Sequence, residues 1–125
     1  MIDFNNKKVF KLKPVDNSKM LKPIKQFLLD DENVISVFKS MRDQVVFTNK
    51  RIISANVKGI TGKQVDYTSV PYSKIDVFSI ETAGLLDLDC EIELYVGNLA
   101  KIRFEIKGGF DIVRFNQILS KYVLR

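Results

Sequence analysis

The chain has 125 residues, a formal net charge of +5, 46% apolar residues, a single cysteine and no histidine. These values suit one domain with one core. They exclude a disulfide framework, chemistry built on a histidine base or histidine metal ligands, and, since no apolar run approaches ~18 residues, a helical membrane span. The positive charge is local: residues 1–25 hold seven lysines against Asp3 and Asp16, whereas residues 26–125 hold 13 basic and 13 acidic side chains. A nucleic-acid surface spreads its basic groups over one face of a fold, so nucleic acid is not an expected partner. The lone Cys90 and the lack of an N-terminal apolar segment predict a reducing, cytoplasmic setting.

In chain order, residues 1–18 show no sustained period, and residues 1–22 read as a basic, irregular arm ahead of a domain at 23–125. Met20, Leu21, Ile24, Phe27 and Leu28 then recur at spacings of three and four, one apolar helical stripe. Pro23 fits only the first turn, so the regular part is expected over 23–31. Strands are expected over 33–40, 44–48, 51–57, 63–70 and 75–80. Asn49-Lys50 marks a tight turn, and Gly59 and Gly62 bracket another. Pro71 ends the fourth of these strands because it has no ladder donor. The fifth is apolar on both faces, with Ile75 and Val77 on one and Phe78 and Ile80 on the other.

The last two strands obey a period of two. Leu88, Cys90, Ile92, Leu94 and Val96 alternate with acids and Tyr95; Ile102, Phe104 and Ile106 alternate with Lys101, Arg103, Glu105 and Lys107. A three-residue loop, Gly97-Asn98-Leu99, puts Leu94 opposite Ile102 and Glu93 opposite Arg103, although it also sets Glu91 against Glu105. Gly108-Gly109 stops the strand. Ile112, Phe115, Ile118, Leu119, Tyr122 and Val123 form a wide helical stripe over 110–124, with Asp111 at the positive end of the helix and Lys121 near the negative end. The expected fold is therefore mainly β: a seven-stranded antiparallel barrel, closed to remove its edges, with a C-terminal helix plugging one end and a short N-terminal helix.

Candidate chemistry is sparse. Cys90 sits in a core phase, which suits a buried thiol rather than a nucleophile. Asp87, Asp89, Glu91 and Glu93 read as the wet face of one strand rather than a cation site. Gly59-Ile60-Thr61-Gly62-Lys63 lacks the spacing and the following helix of a phosphate loop and reads as a hairpin turn. Phe47, Phe78, Phe104 and Phe115 follow core patterns. Lys39, Arg42, Lys50, Arg51 and Lys63 are the candidate contacts for an anion or other ligand if the barrel loops bring them together. No catalytic, cofactor or metal residue is expected.

Arg42-Asp43, Val46-Phe47-Thr48-Asn49-Lys50-Arg51-Ile52-Ile53, Gly59-Ile60-Thr61-Gly62-Lys63, Tyr67-Thr68-Ser69-Val70-Pro71-Tyr72-Ser73-Lys74-Ile75, Phe78-Ser79-Ile80-Glu81-Thr82-Ala83-Gly84, Asp87-Leu88-Asp89 and the closing Tyr122-Val123-Leu124 resemble the bacterial pleckstrin-homology (PH) domain family, over roughly residues 26–125. The resemblance implies a PH-like barrel of seven strands capped by a C-terminal helix, assembly into homo-oligomeric rings, and no enzyme activity. Eukaryotic PH relatives bind phosphoinositides with basic residues around the first hairpin; Lys39 and Arg42 lie there, without the full cluster. The expected function is a non-catalytic scaffold or interaction module that forms a homo-oligomer or meets a protein partner, with Ile75, Val77, Phe78 and Ile80 as candidate interface residues. The alternative is a peripheral binder of anionic membrane or phospholipid, using Lys19, Lys22 and Lys25 beside the apolar stripe.

Overall fold

The structure, a computed structural model, describes residues 1, 9–82, 89–98 and 100–124. Eight strands and two helices follow in the order β1 Val9–Val15, α1 Lys22–Phe27, β2 Val34–Lys39, β3 Gln44–Thr48, β4 Arg51–Lys58, β5 Gln64–Pro71, β6 Ile75–Thr82, β7 Cys90–Val96, β8 Ala100–Ile106 and α2 Ile112–Val123. The predicted strands all appear, their ends moved by a residue or two. Leu88, predicted at the start of β7, and Asp87, in the predicted acidic face, lie outside the described residues, as do Ala83-Gly84 and Leu99.

Two features differ from expectation. The arm at 1–22 is not irregular throughout: residues 9–15 form β1, making eight strands rather than seven. Its alternation is short and interrupted by Pro14, which hides it from a periodicity argument. The sheet is also not a closed barrel. Its order is β5-β4-β3-β2-β1-β8-β7-β6, so β5 and β6 are its two ends. Pro71 and the 3-10 turn Tyr72–Lys74 swing the chain from one end directly into the other without pairing them, and the result is a curled half-barrel.

β1 makes the sheet continuous. Val9 to Leu12 run parallel to Arg103–Ile106 of β8, and Lys13 to Val15 then run antiparallel to Val37–Lys39 of β2. Pro14, which has no N–H to donate, falls just after β1 leaves β8. The β7–β8 pairing has the register that the three-residue loop requires, with Leu94 opposite Ile102, Glu93 opposite Arg103 and Glu91 opposite Glu105. Gly59 and Gly62 adopt φ of 75° and 67° in the β4–β5 turn, a region that disfavours a side chain.

The inner face of the curl holds the main core. Phe38, Phe47, Ile92, Leu94, Phe104 and Ile106 meet Phe115 and Leu119 of α2 there. Asp111 caps α2 by accepting from the Arg114 N–H at 3.0 Å. The Phe115 ring stands edge-on to Phe47 with centroids 5.0 Å apart, and Tyr122 stacks on Tyr72 at 5.7 Å. Asn116 and Lys121 face outward, as the helical stripe predicts. A second core lies on the other side of the same sheet: Ile24 of α1 packs with Val37, Val46, Ile53 and Ala55 on the outer face of β2–β4, flanked by Met20, Leu28 and Tyr67.

Candidate functional site

The five cations singled out in the sequence do not converge. Arg51 is engaged within the fold. Its Nε and Nη2 reach the two oxygens of Glu32 at 3.0 and 2.9 Å, Nη2 also donates to the Phe27 carbonyl at 3.0 Å, and Nη1 donates to Ser69 Oγ at 3.1 Å. Four of the five N–H groups that a guanidinium offers are thereby used. Lys50 pairs with Asp31 at 2.9 Å. Arg42 donates to the Gly59 carbonyl, tying the β2–β3 turn to the β4–β5 turn. Lys63 is exposed at the end of the latter. Lys39 opens onto a cleft.

That cleft, of about 570 Å³, lies where β1 crosses from β8 to β2 and is lined by Lys11, Leu12, Lys13, Lys39, Ser40, Met41 and Lys107. Lys13 stands directly opposite Lys39 in the β1–β2 pairing. Lys11, two residues along, projects to the same outer face. Lys107 is held alongside by its backbone N–H, which donates to the Leu12 carbonyl at 2.9 Å. None of the four ammonium groups forms an ion pair among the described residues, although Glu105 is the register partner of Lys11. Met41, at the rim, is fully exposed. Lysines 11 and 13 belong to a strand that sequence periodicity missed, so their meeting with Lys39 was not legible.

The candidate interface residues separate too. A register shift between Ile75 and Val77 breaks the simple alternation of β6. Ile75 is buried in the main core, Phe78 and Ile80 pack against that same core, and Val77 alone is left 57% exposed. The expectation that Ile75 and Val77 share one face and Phe78 and Ile80 the other is therefore corrected: the bulge at Asp76 adds a residue and changes the phase. Val77 faces Tyr95 across the β6–β7 pair, and Tyr95 is also exposed. Among the described residues, β6 and β5, eight residues each, have a neighbour on one side only.

Residues 3–123 match the family model described as Bacterial PH domain. The chain belongs to the bacterial PH domain family. It is 45% identical over 95 residues to the Bacillus subtilis protein YjqA, covering 74% of this chain and 76% of that one. Among solved structures it resembles a pleckstrin-homology-domain protein of Shewanella loihica, with 34% identity, a TM-score of 0.76 and coverage of 92% and 99% of the two chains. It also resembles the pleckstrin homology domain from Shewanella amazonensis, with 38% identity, a TM-score of 0.63 and coverage of 89% and 90%.

Membership of this non-catalytic family places the chain among scaffold and interaction modules, not enzymes. The side-chain environments agree. Cys90 is buried, and burial followed by the neighbouring Asp89 pushes its thiol up to about 11, away from thiolate chemistry. On the open face of β7–β8, Arg103 Nε lies 2.6 Å from Glu91 and 3.5 Å from Glu93, and Lys101 lies 3.6 Å from Glu93. The diagonal Arg103–Glu91 bond answers the like-charge pairing of Glu91 with Glu105, and it holds the Glu91 carboxyl below its usual range. Asp43, Asp66 and Asp76 also serve the fold: Asp43 accepts from the Val57 N–H and Asp76 from the Gly97 N–H, each at 3.0 Å, and Asp66 pairs with the Met1 ammonium and accepts from Thr68 at 2.9 Å.

Two buried polar residues escaped the sequence reading. Gln44 accepts from the Leu21 N–H at 2.8 Å and donates to the Lys19 carbonyl at 3.1 Å, docking the segment before α1. The Glu32 side chain is wholly covered; besides Arg51, it accepts from Thr48 Oγ1 at 2.6 Å and the Leu29 N–H at 3.1 Å. Burial opposes its ionisation, but these hydrogen bonds outweigh burial and hold the carboxyl below its ordinary range. Among the described residues, no helix is long and apolar enough to cross a membrane.

Proposed function

We propose that this PH-like interaction module works as a homo-oligomer, in which the free edge of β6 on one copy meets the free edge of β5 on the next. The observation that carries this reading is the open sheet: two eight-residue strands end it, each with a neighbour on one side only among the described residues. Unpaired N–H and C=O groups along an edge are a template for another strand. Because the two edges are different surfaces, their union is head-to-tail, and such contacts form a ring when the rotation between copies closes. The resemblance to the bacterial PH family points the same way. Of the four interface candidates, Val77 supports this reading most directly, because it stands exposed on β6 beside Tyr95. Ile75, Phe78 and Ile80 act by keeping the strand seated on its own core.

The apolar residues that motivate the membrane-binding alternative are only partly free. Ile24 of α1 is wholly buried against the sheet and Leu28 packs beside it, while Phe27, edge-on to Tyr67 at 5.1 Å, and Leu21 stay exposed. Size-exclusion chromatography with light scattering at micromolar and sub-micromolar protein tests the oligomer. The expected mass is a multiple of 14.4 kDa, reduced in Val77→Lys because a lysine on an edge strand opposes pairing. A 14.4 kDa monomer at every concentration sinks the proposal.

A further inference from the structure

We propose that β1 is an exchangeable strap: it opens apart from the rest of the sheet, and the slot it leaves accepts β1 of a second copy of this chain. Its pairing is split. Val9 to Leu12 pair with β8 alone and Lys13 to Val15 with β2 alone, so among the described residues none in β1 has a partner strand on both sides. Residues inside either half of the sheet are held differently; Ile53 of β4 pairs with Val46 of β3 and with Ser69 of β5. The part of the strap on β2 is weak in two further ways. Pro14 has no N–H to give to a ladder, and Lys13 stands opposite Lys39, a like-charge pair. Side-chain anchorage is thin: Leu12 is buried in the main core, Val15 packs at the margin of the outer one, and Lys11 and Lys13 are exposed. Few buried contacts and one-sided ladders mark the segments that open first.

The strap has a hinge, with an anchor behind it. Asp16, Asn17, Ser18 and Lys19 are exposed and join β1 to the segment before α1. Gln44 fixes the Lys19 carbonyl and the Leu21 N–H, so β1 swings about residues 16–18 while α1 stays on its face. The ion pair of Met1 with Asp66 lies at the surface and restrains little. Opening bares the edges of β2 at Val37 to Lys39 and of β8 at Arg103 to Ile106, and empties the seat of Leu12 in the core. That slot is the complement of one sequence: an apolar residue at the Leu12 position, at the step from a parallel neighbour to an antiparallel one. Every copy of the chain carries it, and exchanging an identical element is a low-cost route to a dimer. A chain's own β1 returns at an effective concentration on the order of 1 mM, so exchange between copies grows with protein concentration. This contact is separate from the β5 and β6 edges.

Opening and exchange are read separately on the full chain. Hydrogen exchange compares the Lys107 N–H, which donates to the Leu12 carbonyl, with the amides of β4; Lys107 should exchange about tenfold faster or more. For strand exchange, Lys13→Cys and Lys39→Cys are made separately in a Cys90→Ala chain, which leaves one thiol in each. One of the two is isotope-labelled, and they are mixed at tens and at hundreds of micromolar before mild oxidation. Directly opposed residues of an antiparallel pair lie within disulfide reach, so a mixed disulfide forms where β1 of one chain lies against β2 of another. The mixed dimer should grow with concentration, exceed that from Lys13→Cys mixed with Lys74→Cys, another exposed site, and persist when Val77→Lys is added to both chains. Persistence there keeps the strap distinct from the β5–β6 contact, whether or not that contact forms. Lys107 exchange as slow as that of β4, a mixed dimer no greater than the Lys74 control, or its loss in Val77→Lys overturns the proposal.

Discussion

The two halves of the sheet treat their outer faces in opposite ways. The outer face of β2–β4 is apolar, with Val37, Val46, Ile53 and Ala55, and is covered by Ile24 of α1 and its flanks. The outer face of β7–β8 carries Glu91, Glu93, Lys101 and Arg103 as a partly exposed, salt-bridged lattice. One half is thus buried on both faces, like a layered fold, and the other is buried on one, like an ordinary antiparallel sheet. The difference teaches that the short α1 is not an appendage. A six-residue helix has no independent stability; it persists because β2–β4 present a surface that must be covered, and because Gln44 and Glu32 hydrogen-bond the segments on either side of it.

The core that both halves share sets the scale. Phe115→Ala should cost roughly 3–5 kcal/mol through lost transfer energy and a cavity, read by urea melts with oligomer dissociation followed separately. Next comes the covered face: Ile24→Ala should cost about 2–5 kcal/mol and speed amide exchange over α1 and the outer residues of β3 more than over β7. If Ile24→Ala behaves like a surface substitution, the distinction between the two halves fails.

The buried clamp follows. Glu32→Gln should cost about 1–3 kcal/mol at neutral pH, because it keeps the shape but removes the charge that Arg51 and Thr48 bond to. The sign with pH is set by the lowered carboxyl of Glu32. Its contribution is complete above the unfolded carboxylate pKa of about 4.3 and is lost as pH falls through the lower folded value. Melts at pH 7 and pH 3 should therefore show the gap between parent and Glu32→Gln narrowing on acidification. A gap that widens would mean that Glu32 is held neutral.

The open face should respond least. Arg103→Gln removes an exposed pair and should cost about 0–1 kcal/mol, reduced further by added salt. Lys121→Ala, on the outer side of α2, should change stability by about 0.5 kcal/mol or less. An Arg103 effect as large as that of Glu32 would erase the contrast between the faces.

Much of this pattern was legible because it rests on local periodicity. The alternation from Cys90 to Ile106 defined β7, β8, their loop and their register, since a one-residue slip would set Leu94 against Lys101. The stripe of α2 identified Phe115 and Leu119 as buried. Other features were not legible because they depend on what lies across the fold. β1 carries an interrupted, short pattern, and its strand state comes from lying between β2 and β8. The phase of β6 depends on one bulge. Glu32 and Gln44 look like surface residues until a turn or helix segment arrives to be bonded.

The sequence by itself determined the mainly β class, most strand positions, the terminal helix and the family, because alternation, turn residues and helical spacing act over a few residues. Only the tertiary structure decided that the sheet stays open, that α1 covers one half of it, and that Arg51 serves Glu32 while Lys39 joins Lys11 and Lys13. The last two of those outcomes depend on partners 19 to 28 positions apart in the chain, and the open sheet on β1–β8 partners 94 positions apart; pairings of such spans are fixed by how strands are ordered, not by the residues beside them.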